Sequence, residues 1–88
     1  HRPRRDVVQH LDEHILSPES IQEEEHAEHA VVRTERYPIK PMFIDEAILQ
    51  LEMSRRQFLV FMNARHSRLN VMYRRKSGDF GLIEPIAN

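Results

Sequence analysis

The stretch from Asn70 to Pro85, NVMYRRKSGDFGLIEP, constrains the fold of this chain more than any other. It reads as strand, tight turn, strand, with Lys76-Ser77-Gly78-Asp79 supplying the residue types that a hairpin turn favours. Side chains alternate between the two faces of a strand. By that alternation Val71, Tyr73, Phe80 and Leu82 fall on one face, and Met72 and Ile83 on the other. A sheet that is apolar on both faces must be covered on both. An 88-residue chain must therefore find two covers for one sheet.

The residues before this hairpin supply one cover. In IDEAILQLE, Ile44, Ala47, Ile48 and Leu51 recur at i, i+3, i+4 and i+7, which predicts an amphipathic helix. Asp45 and Glu46 stand in its first turn, where the helix dipole favours acids. FLVFMN (58–63) reads as a further strand, and VVRTERYPI (31–39) as a β-rich run stopped by Pro38 and Pro41. The order is β-α-β-β-β. The expected fold is a small α+β domain over 31–88, an antiparallel sheet with one helix on one face.

Hairpin pairing places Phe58, Val60, Met62, Val71, Tyr73, Phe80 and Leu82 on one face. Leu59, Phe61, Met72 and Ile83 share the other with Asn70, Arg74 and Gly81. The helix is expected on the Gly81 face, because glycine permits close approach. The face with Phe58 and Tyr73 is then left for a second copy of the chain. Burying about seven large apolar side chains yields on the order of 10 kcal/mol, against roughly 4–15 kcal/mol for association. A small domain needs some staple. With no cysteine, disulfides and zinc–thiolate sites are excluded, which also fits a reducing compartment. Homodimerisation is the staple that remains.

Residues 1–30 have a different character. They hold three arginines against eight carboxylates, a net of −5, and neither glycine nor an aromatic residue. Residues 31–88 hold ten cations against six carboxylates, a net of +4. Such a shift marks a linker meeting a domain. Val7, Val8, Leu11 and Ile15 fit a short amphipathic helix closed by Ser17-Pro18, and the rest of 1–30 reads as an acidic, mostly flexible linker. A linker of this length spans roughly 30 Å. The competing cover, in which this segment folds back over the sheet, has few apolar residues to offer. The chain begins with His1 and not Met, as expected of a piece of a longer protein. It has no apolar run long enough to span a membrane.

Three short motifs suggest chemistry, and each lacks its context. His10-Leu11-Asp12-Glu13-His14 fits H-x-x-E-H, a zinc-peptidase pattern that needs both histidines on one helix face and a third ligand. In a polar linker it reads as solvated, as do His26 and His29. Asp79-Phe80-Gly81 has no glycine-rich or catalytic loop to accompany it. Gly78-Asp79-Phe80-Gly81 lies on a β-turn, whereas the nucleic-acid clamp it resembles joins helices. No catalytic residue, metal, cofactor or small-molecule substrate is expected. Arg55, Arg56, Arg65, Arg68, Arg74, Arg75 and Lys76 carry more weight. Beside exposed aromatic residues they offer an alternative function, contact with RNA through a basic rim.

The run from Val31 to Pro85 resembles the C-terminal domain of long-form ribosome hibernation promoting factors, the sigma-54 modulation protein family. The matching stretches are VVRTERY, KPM, EAILQLE, FLVFMNA and, most specifically, NVMYRRKSGDFGLIEP. The resemblance implies a β-α-β-β-β homodimer that joins two ribosomes into an inactive, hibernating pair in stationary phase or stress. Binding to each ribosome would fall mainly to an N-terminal domain absent from this sequence. Its implied location is the cytoplasm, or the chloroplast stroma for a plastid-bearing source. Phe43 stands where the family usually has a Ser, Thr or Asp helix cap, and Arg55-Arg56 replaces a common Gly-His pair. Arg65-His66-Ser67-Arg68 replaces an acidic, glycine-bearing turn.

Overall fold

The computed structural model describes residues 9–18 and 31–86. Along the chain lie β1 (Gln9–Leu16), β2 (Val31–Ile39), β3 (Pro41–Met42), α1 (Ile44–Glu52), β4 (Phe58–Asn63), β5 (Arg68–Arg74) and β6 (Phe80–Ile83). The α+β class and the helix α1 agree with the sequence reading. The strands form two sheets, β1-β2 and β3-β4-β5-β6, and the chain divides into two units after Pro38.

In the first unit, Gln9–Leu16 is a strand and not the helix expected there. Leu11 and Ile15 are four apart, a spacing that satisfies a helical stripe and one face of a strand alike. Their half-burial alternates with exposed neighbours, as a strand requires. The expectation for Val7, Val8 and residues 19–30 lies outside the described residues. Pro38, read as a stop, sits exposed inside β2. A two-stranded sheet consists only of edges, where a missing N–H is tolerated.

The second unit carries the helix-covered sheet, which is mixed and not purely antiparallel. β3 runs parallel to β4, with Pro41 opposite Met62 and Met42 opposite Asn63. Met62 N–H donates to Lys40 O (2.9 Å) and Ala64 N–H to Met42 O (2.8 Å), so this edge strand needs no N–H from Pro41 for those bonds. Parallel neighbours require a crossover, and α1 is that crossover. Its predicted stripe faces the sheet: Ala47 and Leu51 are buried with Met42, Phe61 and Met72, and Ile44, Ile48, Leu59, Phe80 and Leu82 close the core around them.

Both helix ends are held by side chains that compensate for missing caps. Phe43 has no side-chain acceptor to offer at the N-cap. Instead the Glu46 carboxylate accepts the Phe43 N–H (2.9 Å) and the Asp45 carboxylate accepts the Glu46 N–H (2.9 Å). At the other end the last turn of α1 contains no basic residue. Arg74 reaches it from β5, donating from Nη2 to Leu51 O and to Ser54 O (2.9 Å) and from Nε to Arg56 O (3.0 Å). A cation at a helix C-terminus is favourable for the dipole as well as for the carbonyls. Charge-assisted bonds of this kind are each worth about 1.5–3 kcal/mol. Arg74→Ala is therefore expected to cost about 2 kcal/mol and lower the melting temperature by about 10 °C in a domain of this size. Arg74→Lys should recover only part, having a point charge and no fork. Thermal denaturation followed by circular dichroism measures both.

The two hairpins behave differently at their turns. In the β4–β5 turn Ser67 takes a left-handed φ of 62°, the conformation for which glycine is the usual choice. Its N–H donates to Asn63 O at 2.7 Å. The β5–β6 turn closes as the sequence predicts. Arg75 N–H donates to Asp79 O (2.9 Å), Gly78 N–H donates to Arg75 O (3.1 Å), and Gly78 takes φ 95°.

Candidate functional site

Strand register assigns every side chain of the second sheet to a face. Phe58 pairs with Tyr73, Val60 with Val71 and Met62 with Leu69. Val71 also pairs with Ile83 and Tyr73 with Gly81. Phe58, Val60, Met62, Leu69, Val71, Tyr73, Gly81 and Ile83 thus share the face directed away from α1. Phe58 is 45% exposed and Ile83 57%, while Phe61 on the helix face is fully buried.

Five of the seven residues expected on the outer face lie there: Phe58, Val60, Met62, Val71 and Tyr73. Phe80 and Leu82 do not. They pack against the core under α1, and Ile83 and Gly81 take the outer positions. The cause is the Tyr73 ring, which lies on Gly81. A Cβ there would meet Tyr73 Cε1 and Cζ at 2.3 Å and its hydroxyl at 2.7 Å. The glycine admits an aromatic ring from the neighbouring strand and not the helix. Gly81→Ala is expected to swing that ring off the sheet, at a cost of about 1–3 kcal/mol. A shift in the Tyr73 ring resonances, with the core methyl resonances unmoved, would be the sign of it.

The basic residues separate into two groups. Arg55, Arg56, Arg74, Arg75 and Lys76 gather at the end of the sheet where β4 begins and β5 ends, linked by Arg74 N–H to Gln57 O at 3.0 Å. Arg65 and Arg68 flank the β4–β5 turn at the opposite end. A continuous rim is therefore not what the fold builds. Nor is Arg74 a rim residue. It is half-buried, its donors are engaged by three carbonyls, and its guanidinium carbon stands 6.0 Å from the Phe80 ring centre. Arg75 Nη1 donates to the Tyr73 hydroxyl at 3.3 Å, joining the basic end to the outer face.

The H-x-x-E-H histidines lie on β1, not on a helix. Four residues of strand separate them by about 13 Å, too far to share one ion. His14 Nδ1 is 3.0 Å from Thr34 Oγ1 on β2. Among the described residues no group of three or more His, Cys, Asp or Glu is placed to hold a metal ion. No helix among them is long and apolar enough to cross a membrane.

A family model described as Sigma 54 modulation/S30EA ribosomal protein C terminus matches residues 26–82. The chain belongs to this family. It is 46% identical over 74 residues to the ribosome hibernation promotion factor of Bacillus subtilis, covering 84% of this chain and 38% of that protein. It is 35% identical over 82 residues to the chloroplastic ribosome-binding factor PSRP1 of Spinacia oleracea, covering 93% and 26%. Against the ribosome hibernation promotion factor of Mycobacterium tuberculosis the identity is 42% over 53 residues, covering 60% and 24%. The chain thus spans well under half the length of these relatives.

One polar feature of this S30EA C-terminal domain escapes sequence reasoning. Asn63 and Asn70 are both buried at 1% exposure on the helix face. Asn63 Nδ2 donates to Asn70 Oδ1 (2.8 Å), Asn70 Nδ2 donates to Leu69 O (2.7 Å), and Asn63 Oδ1 accepts the Arg65 N–H (3.0 Å). Two asparagines seven apart, one closing the apolar run FLVFM and one set between Leu69 and Val71, were the available signal. The pair fixes the diagonal between β4 and β5 and the start of the turn between them.

Proposed function

We propose that this chain is a non-enzymatic pairing module. Residues 31–88 associate with a second copy through the sheet face opposite α1, and residues 1–30 connect that module to the rest of a longer protein. In that protein the pairing brings two ribosomes together in an inactive, hibernating state and so represses translation. The ribosomes would be those of a bacterial cytoplasm or a plastid stroma.

The observation that carries this reading is the composition of the outer face. It is an apolar surface built around Phe58 and Tyr73, with Ile83 57% exposed at its margin. A two-fold axis through it brings the same patch to itself and closes the assembly at two. The likeness to the ribosome hibernation promotion factors of Bacillus subtilis and Mycobacterium tuberculosis supports the hibernation role. Light scattering over a range of protein concentrations tests the pairing directly. The expected mass is twice the 10.5 kDa of the chain, and a single-chain mass at every concentration overturns the proposal.

A further inference from the structure

Cations crowd one end of the second sheet. The α1–β4 loop and the β5–β6 turn together bring Arg55, Arg56, Arg74, Arg75 and Lys76 there against two carboxylates, Glu52 and Asp79. Asp79 is partly engaged, accepting the Ser77 hydroxyl at 3.1 Å. Arg74 is committed through Nε and Nη2 to carbonyls at and after the end of α1, and its charge adds to the local potential. Arg55, Arg75 and Lys76 are exposed. Beside them an open hollow is lined by Tyr73, Arg74, Arg75, Lys76 and Ser77.

We infer that this end of the sheet is a docking surface for the phosphate backbone of RNA, with Arg55, Arg75 and Lys76 as the contacting residues. The exposed apolar Met53 and Phe58 lie outside the lining of the hollow, and within it the exposed side chains, Arg75, Lys76 and Ser77, offer charge and a hydroxyl. That is the composition of a phosphate-reading surface, whereas protein interfaces are depleted in lysine and centre on apolar or aromatic anchors. Preorganisation supports it too. The tight Arg75–Asp79 turn and the Arg74 bond to Arg56 O hold the two basic segments side by side, and Tyr73 steadies the Arg75 guanidinium. The opposite end is a weaker match, because Arg65 and Arg68 share it with the His66–Glu84 pair at 3.2 Å. The choice of RNA as the phosphate source rests on the ribosomal reading above. Arg55, Arg75 and Lys76 lie beyond the ends of the strands that form the outer face, and Arg75 alone touches that face, through the Tyr73 hydroxyl.

The test is fluorescence anisotropy with a labelled RNA stem-loop of about twenty nucleotides, titrated with the full chain at several salt concentrations. Three phosphate contacts predict a slope of log affinity against log salt of about −2 to −3. The triple variant Arg55→Gln, Arg75→Gln, Lys76→Gln is expected to flatten that slope by about 2 and to weaken binding at least tenfold at low salt. Arg65→Gln with Arg68→Gln should change affinity less than twofold. The inference is overturned by any of three results: wild-type affinity in the triple variant, equal losses in both variants, or polyglutamate competing as well as unlabelled RNA. Light scattering on the double variant Arg55→Gln, Lys76→Gln, which keeps the Arg75 bond to Tyr73, should give the wild-type mass, so a failure of RNA contact and a failure of pairing are read separately.

Discussion

Tyr73→Ala is expected to yield a folded chain that does not associate with a second copy, and Phe58→Ala is expected to do the same. The two side chains are cross-strand neighbours on the face directed away from α1, and neither belongs to the core around Phe61. Aromatic anchors near the centre of an interface cost about 2 kcal/mol or more when truncated. A two-fold interface contains each residue twice. The expected loss is then about 4 kcal/mol per dimer, close to a thousandfold in the dissociation constant. Tyr73 carries a second cost, since its ring lies on Gly81 and its hydroxyl accepts from Arg75. Light scattering reports the mass and far-ultraviolet circular dichroism reports the fold. Retention of the dimer in both variants would sink the assignment of this face.

The second large effect belongs to the opposite face. Phe61 is fully buried and contributes the largest side chain to the core that Met42, Ala47, Leu51 and Met72 complete. Truncating such a residue to alanine costs about 3–5 kcal/mol in lost transfer energy and residual cavity. Small domains hold roughly 5–15 kcal/mol in all, so Phe61→Ala is expected to leave the chain largely unfolded near physiological temperature. Urea titration of Phe61→Ala beside Phe58→Ala compares the two faces. Equal midpoints would mean that Phe58 is as much a core residue as Phe61, contrary to its exposure.

Much of this architecture is written in local periodicity. The stripe Ile44, Ala47, Ile48, Leu51 has only one helical face to occupy, and FLVFMN with NVMYR can pair only so that Phe58 meets Tyr73 without exposing Phe61 and Met72. Where the pattern permits two phases, the phase is settled by a contact distant in sequence. Phe80-Gly81-Leu82-Ile83 is apolar at three of its four positions, so alternation alone cannot say which residues face the helix. The Tyr73 ring on Gly81 does. The same ambiguity hides β1, whose Leu11 and Ile15 fit either period. Arg74 was unreadable for another reason. Alternation puts it on the helix-side face, but nothing along the chain says that its side chain is directed to carbonyls 18 to 23 residues away while that of Arg75 stays exposed. The basic residues were legible as a group, and their separation to two ends of the sheet was not, because it depends on which strand ends meet.

The grip of Arg74 on the chain leaving α1 also bears on how this domain breathes. A single guanidinium bonds to Leu51 O, Ser54 O and Arg56 O while its own backbone N–H bonds to Gln57 O. Fraying of the last helical turn must therefore break the Arg74 guanidinium bonds, and the helix end and the end of β5 are expected to open together. In native-state hydrogen exchange their amides should share a single opening free energy, well above that of an ordinary frayed helix terminus. Such coupling would hold the loop with Arg55 and the turn with Lys76 on a common platform, although both are themselves exposed to solvent.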